Sequence, residues 1–292
     1  MSRRARGESG AVRAALRVAS GQLAFAGVAS PEYDAAELLA FVLGTTRNRL
    51  TFAAALSVEQ QSTFADLVAR RARREPLQHI TGTAPFRLVE VAVGPGVFVP
   101  RPETELLAGW GIERAREVSA SGRRPVVVDL CTGSGAMAMA IWDELDQTDI
   151  HAVELSEEAH AWAARNLAGT GVDLRCGDMA DAFEDLSGGV DVIVCNPPYI
   201  PLDAFLSVVP EARDFDPARA LWSGEDGLEA MRVLERVGAR LLRPGGVLGA
   251  EHADAQGSSA QAVFTDTGRW ADVRDNPDLA GRSRYVTAKL AR

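Results

Sequence analysis

The stretch Val126-Val-Val-Asp-Leu-Cys-Thr-Gly-Ser-Gly135 decides the fold of this chain. It begins with an apolar, β-branched run that is typical of a strand buried on both faces of a sheet. Gly133 and Gly135 follow, and a helical pattern starts near Ala136. Such glycines let the backbone turn tightly and pass close to a ligand, and a helix N-terminus offers unpaired N–H groups. The stretch therefore predicts a strand, a binding loop and a helix in succession.

Short β-branched runs and helical patterns alternate from Arg101 onward, which predicts an α/β fold with a mostly parallel sheet and helices on both faces. The predicted strands cover residues 126–130, 150–153, 172–175, 190–195, 246–251, 270–274 and 284–289. The intervening helices lie near residues 103–119, 136–144, 157–167 and 227–242. Ligands of such sheets bind beyond the carboxyl ends of the strands, so the residues there are the functional candidates.

The part of the chain before Arg101 has a different pattern. Apolar residues recur at three- and four-residue spacing over residues 1–75, which predicts a small helical bundle with helix starts at Ser30-Pro31 and Ser57. A basic run closes the last of these helices, and we interpret it as a solvated final turn. It consists of Arg70, Arg71, Arg73 and Arg74. Residues 76–100 then predict a β-hairpin linker, which leaves residues 101–292 as the α/β domain.

Composition places the 292-residue chain among ordinary globular proteins, with 47% hydrophobic and 24% charged residues. Its three cysteines, Cys131, Cys176 and Cys195, lack paired spacing, which argues against a disulfide framework or a cysteine-based zinc site and favours a reducing compartment. We expect no metal site. There is no apolar run long enough for a membrane span, and the start of the chain, Met1–Gly10, lacks the apolar core of a signal peptide. The prediction is a cytoplasmic protein without a membrane partner.

The net charge of -9 is unevenly distributed. Residues 1–100 contain 12 basic and 8 acidic residues, a net +4, whereas residues 101–292 contain 19 basic and 32 acidic residues, a net -13. Affinity for nucleic acid comes mainly from Lys and Arg that neutralise phosphates. We therefore expect no stable binding to nucleic acid.

Acidic residues stand at three of the predicted strand ends. Asp129 lies four residues before Gly133, where a carboxylate would repel the pyrophosphate of a dinucleotide and attract a cation such as an amino acid's ammonium. Glu154 ends the second strand, where a carboxylate can accept both hydroxyls of a ribose. After the third strand, Asp178 can accept from an exocyclic amine, and Met179 can cover the flat face of adenine. Each residue alone could belong to a surface loop, but their order favours an adenosyl site.

The fourth strand ends in Asn196-Pro197-Pro198-Tyr199. The two prolines fix the backbone and donate no hydrogen bonds, so the Asn196 side chain and the Pro197 carbonyl have rigid positions. Together they offer two acceptors for the N–H bonds of a planar amide or aromatic amine, while Tyr199 packs on the planar group. The nitrogen lone pair then points towards an electrophilic methyl group, which is catalysis by positioning and electrostatics. A simple strand terminator is the competing interpretation.

These motifs together resemble class I S-adenosylmethionine-dependent methyltransferases, and more closely the HemK/PrmC-type peptide chain release factor glutamine N5-methyltransferases. The likeness extends over nearly the whole chain. It rests also on Glu75-Pro-Leu-Gln-His-Ile-Thr-Gly82, Phe98-Val-Pro-Arg-Pro-Glu-Thr-Glu105, Gly224-Glu-Asp-Gly-Leu228 and Asp278-Leu-Ala-Gly281 with Arg284. The resemblance implies a Rossmann-like methyltransferase domain that converts S-adenosyl-L-methionine to S-adenosyl-L-homocysteine. The substrate it implies is the glutamine of the Gly-Gly-Gln (GGQ) motif in class 1 release factors, whose methylation supports translation termination.

The resemblance also assigns roles by position. Asp129, Glu154, Asp178, Met179 and Asn196 would contact the cofactor, together with the loop residues Cys131, Thr132, Gly133, Ser134 and Gly135. Asn196, Pro197 and Tyr199 would be catalytic, and Pro198 would join them in binding the glutamine amide. Residues 1–75 would help to dock the release factor, and we expect a monomer.

Three residues depart from the family pattern. Cys131 stands where many relatives have Gly, and Met179 where an aromatic residue is frequent. His252 follows Glu251 where an apolar residue is usual, and we interpret it as a loop histidine. Two other functions stay open: an N6-adenine or N2-guanine methyltransferase acting on DNA or RNA, which would flip out its target base, and a silent adenosyl-binding protein.

Overall fold

A computed structural model describes residues 3–291, with side chains from Gly10 onward. Met1, Ser2 and Arg292, at the outer limits of the predicted domains 1–75 and 101–292, lie outside the described residues. The chain divides into two compact units. The first contains the residues up to Gly82 together with Val209–Phe215, and the second contains Thr83–Val208 and the residues from Asp216 onward.

The first unit is helical. It consists of α1 (Arg3–Phe25), α2 (Pro31–Val42), a 3₁₀ helix (Arg47–Phe52), α3 (Val58–Ala72), α4 (Leu77–Thr81) and, from later in the chain, α8 (Pro210–Phe215). Ser57 and Gln60 form a reciprocal capping box at the start of α3, and Pro31 occupies the first turn of α2. Both predicted helix starts are confirmed. Helix α4 lies within the span that the sequence assigned to the linker.

The interpretation of the basic run at the end of α3 as a solvated turn was wrong for Arg71, whereas Arg73 is exposed. The Arg71 guanidinium is buried and pairs with Asp34 at 2.7 Å and with Glu211 at 2.8 Å. Arg74 donates to the same Glu211 carboxylate. Because a buried guanidinium is stable only when its charge is paired, these contacts fix the end of α3 against α2 and α8.

The second unit begins with an antiparallel hairpin of β1 (Thr83–Phe86) and β2 (Val89–Ala92), inside the span where the sequence predicts one. A seven-stranded sheet follows. Its members are β3 (Val126–Leu130), β4 (Asp149–Glu154), β5 (Asp173–Cys176), β6 (Val190–Cys195), β7 (Leu242–Glu251), β8 (Trp270–Pro277) and β9 (Ser283–Leu290). The strand order is β5-β4-β3-β6-β7-β9-β8; β9 runs antiparallel to β7 and β8, and the other pairs are parallel. The mostly parallel seven-stranded sheet is confirmed.

Helices cover both faces of this sheet, and each face carries its own apolar core. They are α5 (Thr104–Ala120), α6 (Ala136–Glu144), α7 (Glu157–Asn166), α10 (Glu229–Leu241) and α11 (Gly257–Thr265). A short helix, α9 (Ala218–Leu221), lies in the connection between β6 and α10, and the sequence did not predict it. The four predicted helices are present within two residues of their expected ends. The sequence missed α11, whose Gly-Ser-Ser start hides its helical pattern. No helix within residues 3–291 is both long and apolar enough to cross a membrane.

Candidate active site

The order of the strands brings the candidate residues together. Strands β4, β3 and β6 are parallel neighbours, so their carboxyl ends meet at one edge of the sheet. Glu154 ends β4, the glycine loop follows β3, and Asn196 follows β6. The point where the chain order reverses lies between β3 and β6, and that is the usual position of a ligand in such a sheet.

The loop after β3 turns by means of left-handed residues. Cys131, Gly133 and Gly135 have φ angles of 59°, 59° and 80°. A Cβ atom on Gly135 would lie 3.1 Å from Leu167 Cγ, so a side chain there meets both backbone strain and a close contact. Cys131 adopts a conformation that costs little only for glycine. The left-handed backbone of Cys131 therefore explains why a glycine suits this position.

Asp129 lies beneath the loop and is wholly buried. Its Oδ2 accepts a hydrogen bond from Thr132 Oγ1 at 2.6 Å and another from the Ala138 N–H at 3.1 Å, which joins β3, the loop and the first turn of α6. Its Oδ1 is buried without a hydrogen-bond partner among the described residues. Burial raises the pKa of this carboxyl to about 7. Asp129 thus holds the loop through Oδ2, and Oδ1 stays a buried acceptor with no partner among the described residues.

Glu154 reaches from the tip of β4 to the same loop. One carboxylate oxygen accepts the Gly133 N–H at 2.9 Å, and the other accepts the Ser156 N–H at 2.8 Å. Each oxygen retains a further lone pair, since a carboxylate offers about four acceptor sites. Glu154 is therefore held in place and still able to accept hydroxyl groups.

The residues after β5 lie beside this loop. Met179 is buried, and its Sδ lies 3.7 Å from Cys131 Sγ. Asp178 is exposed and accepts the Ala180 N–H through Oδ1 at 2.9 Å. The structure thus brings Met179 against the loop and leaves Asp178 at its surface. Ser134, which the sequence also named, is buried within the loop, and its carbonyl accepts from Asn166 at 2.8 Å.

The Asn196-Pro-Pro-Tyr199 segment follows β6, whose residues are all buried. Asn196 Nδ2 donates to Thr104 Oγ1 at 3.3 Å, and the Tyr199 hydroxyl donates to Glu251 Oε1 at 2.9 Å. Thr104 Oγ1 in turn donates to Glu251 Oε2 at 2.6 Å. Pro197 is buried, and Pro198 is half-buried. The segment is therefore fixed through both of its polar side chains.

Sequence reasoning missed the two residues that hold this segment. Thr104 is the first residue of α5 and Glu251 is the last of β7, and both are buried. Burial raises the pKa of the Glu251 carboxyl, and burial beside Glu251 raises the pKa of the Tyr199 phenol well above its usual range. The only available signals were the placement of Thr104 in the Arg101–Glu105 segment and of Glu251 at a strand end. Neither signal pairs the two residues.

His252 lies in the loop after β7, as the sequence predicts, but it is not exposed to solvent. It is wholly buried; Nδ1 lies 2.8 Å from the Ala253 carbonyl oxygen, and Nε2 lies 3.3 Å from Asp275 Oδ1. Burial lowers its pKa. The contact with Asp275 joins the loop after β7 to β8, next to Glu251.

The three cysteines have different surroundings and form no disulfide with one another. Cys176 is exposed, Cys131 is partly exposed, and Cys195 is buried. Burial raises the pKa of the Cys195 thiol well above its usual range, which makes it a packing residue of β6. Across the described part of the chain, no group of three or more His, Cys, Asp or Glu side chains could hold a metal ion.

Two family models match the chain. The model described as PrmC N-terminal domain matches residues 14–82, and the model described as methyltransferase small domain matches residues 116–208. The first lies within the helical unit, and the second contains the glycine loop, Glu154 and Asn196.

The chain is similar to named relatives over most of its length. It is 53% identical to the release factor glutamine methyltransferase of Streptomyces coelicolor, over 94% of this chain and 96% of that protein. It is 45% identical to the 4-amino-L-phenylalanine/4-methylamino-L-phenylalanine methyltransferase of Streptomyces pristinaespiralis, over 73% of each chain. Among solved structures, the hMettl16 catalytic domain in complex with a 3'UTR hairpin aligns with a TM-score of 0.56. That alignment covers 77% of this chain and 82% of the other at 14% identity, and it supports the fold alone.

Proposed function

The chain belongs to the release factor glutamine methyltransferase family, and from that premise we propose that it methylates the side-chain amide nitrogen, N5, of the glutamine in the GGQ motif of class 1 peptide chain release factors. It is an S-adenosylmethionine-dependent methyltransferase. The observation that carries the substrate proposal is the Asn196-Pro-Pro-Tyr199 segment, whose two polar side chains are both anchored by hydrogen bonds. We assign its free acceptors, Asn196 Oδ1 and the Pro197 carbonyl, to a planar NH₂ group.

The residues present fit S-adenosylmethionine. We assign Glu154 to the ribose hydroxyls, because its carboxylate is fixed by two backbone N–H groups and has lone pairs left. We assign the buried, unpartnered Oδ1 of Asp129 to the positive amino-acid end of the cofactor. The adenine is assigned to Met179 and Asp178, and the loop residues 131–135 line the cofactor. Its conversion to S-adenosylhomocysteine delivers one methyl group as an electrophile.

The protein contributes positioning. Asn196 Oδ1 and the Pro197 carbonyl accept the two N–H bonds of the glutamine amide, and the Tyr199 ring, together with Pro198, packs against its plane. Amide resonance makes the nitrogen a weak nucleophile, so a fixed direction of attack supplies the rate enhancement. An amide nitrogen that gains a methyl group becomes strongly acidic, and water suffices to take its proton.

The helical unit is the proposed docking module for the release factor. Two observations support this role: the match to the PrmC N-terminal domain and the exposure of large apolar side chains on this unit. Phe25 is 97% exposed and Phe52 is 86% exposed. Isolated apolar residues are common on surfaces, but two almost fully exposed phenylalanines on one unit suit a contact with another protein. With such a substrate, the enzyme would act in the cytoplasm, as a monomer and without stable binding to nucleic acid.

The test is a transfer assay with radiolabelled S-adenosylmethionine. Release factor, ribosomal RNA, DNA and 4-amino-L-phenylalanine are offered in parallel, and we expect label only in the release factor. A release factor whose GGQ glutamine is replaced by glutamate is the negative control. Label in nucleic acid, or in the free amino acid with none in the release factor, would overturn the proposal.

A further inference from the structure

We propose that Glu251, acting through Thr104, sets the orientation of the Asn196 amide and so makes its oxygen the acceptor for substrate. Both would be positioning residues for methyl transfer. The identity of the substrate rests on the proposed function, whereas the orientation of Asn196 is inferred from the hydrogen bonds of Glu251, Thr104 and Asn196. Three separate elements contribute: the start of α5, the loop after β6 and the end of β7.

The argument begins at Glu251. It is buried, and its two oxygens face two hydroxyl groups, those of Thr104 at 2.6 Å and Tyr199 at 2.9 Å. An ionised carboxylate has no proton to donate. Both hydroxyl groups must therefore donate to it, and the direction of each hydrogen bond is fixed.

The direction of the Thr104 hydrogen bond determines the orientation of the Asn196 amide. Once the Thr104 hydroxyl proton is committed to Glu251, the Thr104 oxygen can only accept from its other neighbour. That neighbour is the Asn196 side chain at 3.3 Å, so the NH₂ group of the amide must face Thr104. The Asn196 Oδ1 atom is thereby left as the acceptor for a substrate N–H. With the opposite orientation, the Asn196 NH₂ group would face the NH₂ group of the substrate amide. Both groups are donors, so the site would repel the substrate.

The same logic predicts a dependence on pH. The charged and titratable groups near Glu251 include Tyr199, Arg284 of β9, Glu103 just before α5 and its chain neighbour His252. Burial raises the pKa of Glu251, whereas its hydrogen bonds and Arg284 oppose that shift. Protonated Glu251 would carry a donor, and Thr104 could then turn its own proton towards Asn196. Since only the ionised form dictates the direction, activity should fall as pH falls through the Glu251 pKa.

Thr104→Val is the decisive substitution, since it keeps the shape and removes the hydroxyl group. We expect kcat to fall about 10- to 100-fold, as for other small losses of alignment, with the Kd for S-adenosylmethionine unchanged within about two-fold. Thr104→Ser keeps the hydroxyl group and should restore kcat to within about three-fold of wild type. Glu251→Gln should lower kcat and remove the acidic limb of the pH profile.

The matched control is Glu235→Gln. Glu235 is another buried glutamate that accepts two hydrogen bonds, from Trp270 Nε1 at 2.7 Å and from Arg269 at 2.8 Å, but it lies on α10 near the start of β8. Its replacement should change thermal stability and leave kcat alone. Thr104→Val with near-normal kcat, or Glu251→Gln with an unchanged pH profile, would overturn the proposal.

A second measurement needs no substrate. The chain has four asparagines, so the side-chain amide signals of ¹⁵N-asparagine-labelled protein can be assigned by substitution. We expect a nuclear Overhauser contact between the Asn196 NH₂ and the Thr104 methyl group that weakens in Glu251→Gln. Absence of that contact in the wild type contradicts the proposed orientation. Wild-type protein that shows the contact but labels no release factor contradicts the proposed substrate instead.

Discussion

The carboxylate of Glu154 accepts the backbone N–H of Gly133 at 2.9 Å, which ties the tip of β4 to the loop after β3. One side chain thus shapes the loop that we assign to the cofactor and also supplies the proposed ribose acceptors. Glu154→Gln keeps the size of the side chain and replaces one oxygen with a donor. Because a hydrogen bond to a charged group contributes about 1.5–3 kcal/mol, we expect the Kd for S-adenosylmethionine to rise about 10-fold or more. Isothermal titration calorimetry measures this.

The control for that substitution is Glu157→Gln on α7, in the turn that follows. It removes the same charge from a residue to which we assign no contact with the cofactor. An equal loss of affinity in both variants would mean that overall charge, and not the carboxylate at the tip of β4, is responsible.

Gly135→Ala should damage the loop more than a positive φ angle alone explains. The added Cβ would lie 3.1 Å from Leu167, and the backbone has a φ of 80°. We expect a loss of about 1–3 kcal/mol in stability and a weaker cofactor complex. Gly188→Ala is the matched control, because its φ is 69° and its Cβ would meet no atom within 4 Å. Urea denaturation of both variants separates the two effects, and equal losses would show that the contact with Leu167 is unimportant.

Asp129→Asn should change how stability depends on pH. The folded-state pKa of Asp129 is about 7, above its unfolded value, so the folded state binds more protons between pH 4 and 7. This group therefore makes the wild type less stable as pH rises through that window. An asparagine can still accept from Thr132 and Ala138 through its one oxygen, and it carries no titrating group. The variant should lose that part of the slope when the free energy of unfolding is measured at several pH values.

The same variant tests the proposed role of the buried Oδ1 atom. If that oxygen accepts from the positive end of the cofactor, an NH₂ group in its place should weaken binding by about 10-fold or more. An unchanged Kd would remove Asp129 from the cofactor site and leave it as an organiser of the loop.

The site could be predicted from sequence wherever a short local pattern marks its residues. The run 126–130, the glycines after it and the acidic residue at the tip of β4 are each readable from a few neighbouring positions. Parallel strands then bring these positions to one edge without any further information. The Asn196-Pro-Pro-Tyr199 segment is specific for the same reason, since two prolines after a buried strand fix its backbone.

The parts that sequence could not predict depend on pairs of distant residues. Thr104 and Glu251 are 147 positions apart, and Arg71 and Glu211 are 140 positions apart. A basic run near a helix end is usually solvated, so nothing local marks Arg71 as buried. The burial of His252 in its loop could not be predicted either, because it depends on contacts with β8 and β9. Tertiary pairing, not local pattern, decides these cases.

Asn196→Ala should abolish turnover with little change in cofactor affinity. The substitution removes the proposed acceptor of the substrate amide and leaves the Glu154 carboxylate and the glycine loop in place. We expect kcat to fall about 100-fold or more, comparable to the loss of a group that stabilises developing charge, and the Kd for S-adenosylmethionine to stay within about three-fold. Asn276→Ala, on β8, is the control for loss of an asparagine. A variant with near-normal kcat would refute the acceptor role.

Phe25→Ser with Phe52→Ser tests the docking role of the helical unit. Both side chains are almost fully exposed, so their replacement should leave the free energy of unfolding nearly unchanged. If they are hot-spot residues of the contact with the release factor, KM for the whole factor should rise about 10-fold or more, because truncation of a hot-spot residue costs about 2 kcal/mol or more. KM for a short GGQ peptide should not change, since a peptide lacks the rest of the release factor that the helical unit would contact. Leu279→Ser is the control for loss of an exposed apolar side chain. Leu279 is exposed and belongs to the other unit, in the turn between β8 and β9. Equal effects on peptide and whole factor, or no effect on either, would exclude these phenylalanines from docking.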